Sequence, residues 1–269
     1  MPQPHSSPSN LRSGSIALQQ AFMEFSIDAA DRQRLLAEIQ QAVLTQSSHM
    51  DSLNFRVFHS EDLAFMFDEY DRRFLGGTCR AALNGRPLKF RLSSRMTRAG
   101  GLTTTKTYRN PVTRTSWEEF EISVSSHLLF QTFRGEERLI RVTGLPCTSR
   151  LEAMQRIVEH ELIHLCEKLA WNDSSCKAPR FQEIAHRLFG HLEHTHQLVT
   201  SAEVAKSQLG IQPGSRVSFL FEGQRLSGIV NRITKRVTVL VPDPDGRRYS
   251  DGGTYKRYYV PIGALSAGD

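Results

Sequence analysis

His160-Glu161-Leu162-Ile163-His164 puts two imidazoles and a carboxylate within five consecutive residues, inside what reads as one long helix. Histidines four apart stand one above the other on a helix, so their rings converge on a single cation. A glutamate beside the first is placed to hold and deprotonate a water bound to that cation. Around the pentad, Leu151, Met154, Ile157, Val158, Leu162, Leu165 and Leu169 recur at helical spacing and predict an apolar side against a core. Ser149 and Glu152 have the spacing of an N-terminal capping box. Asn172-Asp173-Ser174-Ser175 breaks the pattern. Pro179 then opens a shorter helix in which Phe181, Ile184, Ala185 and Leu188 share a face, and Gly190 stops it.

A hydrolytic zinc takes three protein ligands and keeps a fourth position for water. His160 and His164 supply two, and Glu161 is the expected general base. For the third, Cys176 lies in the loop before the next helix and offers a soft thiolate. His186 and His191 are the other donors, with His194 and His196 beyond them. Glu167 and Glu183 are candidate acceptors for the second nitrogen of a ligating imidazole. His191, His196 and Tyr108 are candidate donors to a developing oxyanion. Cys166 sits off the ligand face and reads as a small buried apolar residue.

Upstream of the pentad, residues 16–48 have helical character with a gap around 22–27, and a further helix is predicted over 61–74, ended by Gly76-Gly77. Residues 88–92, 102–108 and 120–124 alternate or are threonine-rich, with a turn at Asn110-Pro111, and predict a small antiparallel sheet. Gly100-Gly101 and the threonines suit an edge strand, which an extended peptide can join by backbone pairing. Residues 1–15 carry Pro, Ser, His and Asn without an apolar run, so a disordered start is expected and a signal peptide is not.

Past the pentad region, residues 201–211 read as a linker. Short strands follow over 217–221, 228–230, 237–241 and 258–260, with turns at Gly214, Glu222-Gly223, Asp245-Gly246 and 251–253. This spacing predicts a small β-barrel over 212–269. That stretch holds nine Lys/Arg against five Asp/Glu, interleaved with Tyr249, Tyr255, Tyr258 and Tyr259. The combination suits phosphate contacts and base stacking, so nonspecific DNA or RNA is a candidate partner.

The chain of 269 residues has 39% hydrophobic and 23% charged residues and a formal net charge of +6. This composition is that of a globular protein, and no run is long enough to span a membrane. Four cysteines at irregular spacing (Cys79, Cys147, Cys166 and Cys176) argue for a reduced, cytoplasmic protein and against a disulfide scaffold.

Residues 52–200 resemble the SprT-like zinc metallopeptidases, the group that includes bacterial SprT proteins and the Spartan DNA–protein crosslink proteases. The resemblance rests on the order helix, strands, H-E-x-x-H helix, on Leu92-Ser93-Ser94 before a strand pair, and on Pro179-x-Phe181 opening the following helix. It implies an α+β zincin domain over 16–200, bound Zn2+, and hydrolysis of a protein or peptide substrate. In that family a His-Gly-x-x-Phe/Trp segment supplies the third ligand. Here Lys177 stands where that histidine would be, and an ammonium has no lone pair to donate. The neighbouring Cys176 is then the expected ligand, with His191 and His186 as alternatives. Pro213-Gly214-x-Arg216-Val217-x-Phe219 and the strands after it look like an SH3-like barrel of the KOW type. The leading expectation is a zinc-dependent endopeptidase. The alternatives are a non-catalytic adaptor with structural zinc, binding nucleic acid or protein, and a metal-dependent hydrolase acting on a non-peptide substrate.

Overall fold

The pentad lies in a helix, Arg150–Trp171, in which sixteen of the 22 residues are buried, so the helix runs through the core and is not laid on its surface. The computed structural model describes residues 8–133 and 139–268. The chain forms two units, one ending at Leu198 and one beginning at Val199, and the architecture is α+β.

In the first unit the order is α1 (Pro8–Glu24), α2 (Ala29–Gln46), α3 (Ser60–Leu75), α4 (Thr78–Leu83), β1 (Leu88–Ser93), β2 (Gly101–Arg109), β3 (Ser116–Ser125) and α5 (Ser126–Thr132). There follow β4 (Ile140–Val142), β5 (Leu145–Cys147), α6 (Arg150–Trp171) and α7 (Pro179–Phe189). α6 is the axis: α1, α3, α4, α5, α7 and strands β2 to β5 all pack on it. Ser149 caps it by accepting from the Glu152 amide, whereas the Glu152 carboxylate turns to the Thr148 amide and hydroxyl, so the reciprocal half of the expected capping box is missing. Asn172 ends it in the left-handed conformation.

Two expectations for this unit are corrected. The start of the chain is helical from Pro8; residues 1–7 of the expected disordered segment lie outside the described residues. The helix is held because Leu18 and Phe22 are fully buried and Phe22 packs on Trp171. In addition, Ser15 Oγ and Gln19 Nε2 donate to the Ala170 carbonyl, one of the unpaired acceptors at the end of α6. Secondly, the sheet is mixed and not antiparallel, with the order β1-β3-β2. β2 and β3 form the expected hairpin, while residues 94–100 carry the chain across β3, so β1 pairs with β3 in parallel. β2 is an edge strand in this order. Gly76 ends α3 as expected, and α4 follows directly on Gly76-Gly77, with the Asp71 carboxylate accepting from the Cys79 and Arg80 amides at its start.

In the second unit the segment read as a linker forms α8 (Ser201–Leu209), whose Thr200 and Glu203 make a complete capping box. Ala205 on α8 is buried with Val217, Phe219, Val230, Val237 and Val239, so the helix belongs to the core of this unit. The strands are β6 (Arg216–Phe221), β7 (Gln224–Ile233), β8 (Val237–Arg248), β9 (Thr254–Val260) and β10 (Ser266–Ala267). They form an antiparallel sheet in the order β10-β6-β7-β8-β9. Among the described residues β10 and β9 do not pair, so the sheet is open where a closed barrel was expected; β10 contributes only two residues to the edge. Asp245-Gly246, expected as a turn, is absorbed within β8 by a register shift between Pro242 and Arg247. No helix among the described residues is long and apolar enough to cross a membrane.

If α1 is an integral part of the first unit, Phe22→Ala should cost about 3–5 kcal/mol of stability. Urea denaturation of the full chain measures this; a change below about 1 kcal/mol is the value of a surface position and would contradict the packing.

Candidate metal centre

One turn of α6 and the loop after it bring His160, His164 and Cys176 together, with their ligand atoms all within 4.8 Å of one another. The two Nε2 atoms are 3.2 Å apart. Two nitrogens on one tetrahedral zinc, each at a bond length of about 2.0–2.1 Å, are separated by about 3.3 Å, so the imidazole spacing fits a shared cation. The Phe181 ring at the start of α7 packs on both imidazoles, with centroids 4.8 Å from His160 and 4.5 Å from His164, and limits their rotation. Burial presses the His160 pKa down to about 3 and the His164 pKa to about 4, so both rings are neutral at pH 7 and have lone pairs to donate. Burial raises the Cys176 thiol above its usual value. A metal ion reverses that preference by binding the thiolate.

A hydrogen-bonded chain sets the His164 tautomer. Arg180 Nε donates to Glu167 Oε1 at 2.7 Å, and Ser174 Oγ donates to Glu167 Oε2 at 2.7 Å. With its proton committed to the carboxylate, Ser174 Oγ is an acceptor for His164 Nδ1, 2.7 Å away. Nδ1 therefore carries the proton, and Nε2 turns its lone pair toward His160 and Cys176. Glu167 serves as anticipated, but through Ser174, which the sequence offered only as part of a helix-breaking loop. Glu183 is exposed and pairs with Arg187.

Glu161 is 4% exposed, and its carboxylate meets the edge strand. Thr103 Oγ donates to Glu161 Oε2 at 2.7 Å and lies 3.1 Å from its backbone carbonyl. β2 comes this close because residue 101 is glycine: a Cβ there would sit 2.5 Å from Glu161 Oε1 and 2.7 Å from Ile157 Cγ2. Burial raises the Glu161 pKa to about 7, against the lowering effect of the Thr103 hydrogen bonds, which places it where a general base works near neutrality.

These groups line a cavity of 530 Å³ bounded by the β1–β2 loop, the first residues of β2, α6, the loop holding Ser174 and Cys176, and residues 194–196. His194 and His196 line its far wall. Backbone bonds from Thr143 to Thr195 and from Gln197 to Arg141 fasten that segment to β4.

The remaining candidates go elsewhere. His191 is buried and its Nε2 donates to Glu159 Oε2 at 2.8 Å, in a network with Tyr70 and Arg156. His186 is exposed on α7, its Nδ1 3.2 Å from the His191 carbonyl. Neither joins the donor cluster found among the described residues. Tyr108 stacks on Trp117 near the opposite end of β2, away from the cavity. Lys177 is exposed and Cys166 is fully buried. Comparison of the chain with protein-family models, curated proteins and solved structures returned no match.

The tautomer argument makes Ser174→Ala a clean test. The variant should fold normally and bind Zn2+ about 10–100-fold more weakly in competition with a chromophoric chelator. Unchanged affinity would remove Ser174 from the design of the site.

Proposed function

We propose that this chain is a zinc-dependent endopeptidase of the SprT-like zincin type, carrying an SH3-like module in its second unit. The observation that carries the reading is the junction of three donors with Glu161 at the start of a free strand edge. Two neutral imidazoles and a thiol suit zinc by softness and spacing, and the set leaves a coordination position for water. Zinc bound there supplies a Lewis acid that polarises a carbonyl and makes water acidic.

The work of the protein's own groups follows from their placement. Thr103 and the glycine at position 101 hold the Glu161 carboxylate at the cavity wall, where it takes the proton of the attacking water and returns it to the departing amine. Phe181 and the Ser174–Glu167–Arg180 chain keep the imidazoles oriented. The outer edge of β2 leads from the cavity, and an extended peptide adds to it by main-chain hydrogen bonds, which favours a peptide over a small non-peptide substrate. Four cysteines free of disulfides, one of them a ligand, suit a reducing compartment, so a cytoplasmic setting belongs to the same proposal.

One observation favours a second reading, a non-catalytic zinc adaptor: His194 and His196 line the same cavity outside the three-donor cluster, and an inward shift of either would supply a fourth ligand.

Glu161→Gln decides between them. An endopeptidase keeps about one equivalent of zinc in this variant and loses cleavage of an unfolded protein substrate by a factor of at least about 100. Cys176→Ala should lose zinc and cleavage together. If the wild-type chain holds zinc yet cleaves no protein, the adaptor reading stands in its place.

A further inference from the structure

The second unit carries an unassigned surface whose chemistry is independent of the metal centre. Val217, Phe219, Val230, Val237, Val239 and Val260 face the core of this unit. Residues alternating with them on each strand point to the other side of the sheet. The strand register aligns these in a row across four strands: Arg216 lies opposite Ile229, Ile229 opposite Leu240, and Leu240, itself buried between its neighbours, opposite Arg257. A neighbouring row holds Arg232 and Tyr259 on either side of the buried Thr238. A groove of 510 Å³ opens on this face, with Arg216, Arg225, Ser218, Ser227 and Ile229 in its walls.

We infer that this face binds single-stranded nucleic acid, with its arginines on the phosphates and Tyr259 stacked on a base. Arg216, Arg225, Arg232 and Arg257 contribute four guanidiniums, and none of them is in an ion pair found among the described residues. Three carboxylates of this unit have partners of their own: Asp243 pairs with Lys256, which alternates onto the opposite side, Asp251 accepts from the Tyr255 hydroxyl, and Glu203 caps α8. Arg225 is fixed by bonds from its Nε and Nη2 to Ser218 Oγ, at 3.2 and 3.0 Å, leaving its remaining donors for a ligand.

Charge alone would suit any polyanion; the apolar groups between the arginines narrow the choice. Tyr259 is 58% exposed and Ile229 is 38% exposed, on the same face as the four guanidiniums. A flat exposed ring among cations is what an unpaired base stacks on. A duplex keeps its bases stacked internally and offers this ring nothing, and an acidic polypeptide has no planar groups in step with its charges.

Fluorescence anisotropy of the full chain with a labelled oligo(dT) of about 15 nucleotides tests the assignment. Binding should weaken with salt. Arg216→Ala combined with Arg257→Ala should reduce affinity at least about tenfold and flatten the log–log salt slope by about 1.4, which is about 0.7 for each phosphate that is no longer neutralised. Tyr259→Ala should weaken binding about fivefold or more with the slope unchanged, as stacking requires. Lys256→Ala, on the other side, should leave affinity unchanged. The inference is overturned if oligo(dT) does not bind or if the double arginine variant binds like the wild type. It is equally overturned if Tyr259→Ala has no effect, or if a duplex of equal length or poly-glutamate displaces the probe as well as the unlabelled single strand does.

Discussion

A helix surrounded by protein has no water to offer its polar side chains, so each must find a partner or give up its charge. α6 carries several such residues, and most of the first unit is arranged to serve them. Gln155 accepts from Gln40 and donates to the Leu36 carbonyl, which ties α2 to the helix. Glu159 takes Tyr70, Arg156 and His191, which ties in α3 and the segment after α7. Glu167 takes Arg180 and Ser174. Glu161 has a threonine hydroxyl where Glu159 and Glu167 each have an arginine. Burial with only that hydroxyl as partner raises the Glu161 pKa to about 7.

Much of this was legible because it is periodic. The pentad, the alternation in β3, the Asn110-Pro111 turn and the Pro179 helix start are local patterns, and the structure has an element at each. What stayed hidden is set by contacts between distant residues. Alternation marks a strand but says nothing of which strand lies beside it, so the parallel β1–β3 pairing was unreadable. His191 stood as an alternative to Cys176 because its actual partner, Glu159, lies 32 residues away. Ser174 carried only the signal of a loop. α8 could have been found: Thr200 and Glu203 have capping-box spacing, and the polar residues around them masked it.

The two units illustrate different uses of a buried surface. In the first, burial sets protonation: it lowers the pKa of His160 and His164 and raises that of Glu161. In the second, burial of one side of a sheet determines what the other side displays. Because side chains alternate, a register that packs valines inward also lines up Arg216, Ile229 and Arg257 outward, with Leu240 buried among them.

The reach of α1 to the end of α6 also bears on how the chain acquires its structure. Ser15 and Gln19 meet the Ala170 carbonyl across 155 and 151 residues of sequence. Contacts of such separation close slowly, since the intervening chain must be gathered first. During synthesis α1 emerges early and carries Leu18 and Phe22 without the wall they will rest on, until Trp171 has left the ribosome. The earliest helix is thus completed by one of the later ones, and a nascent chain halted before residue 171 would expose an apolar stripe that the finished protein conceals.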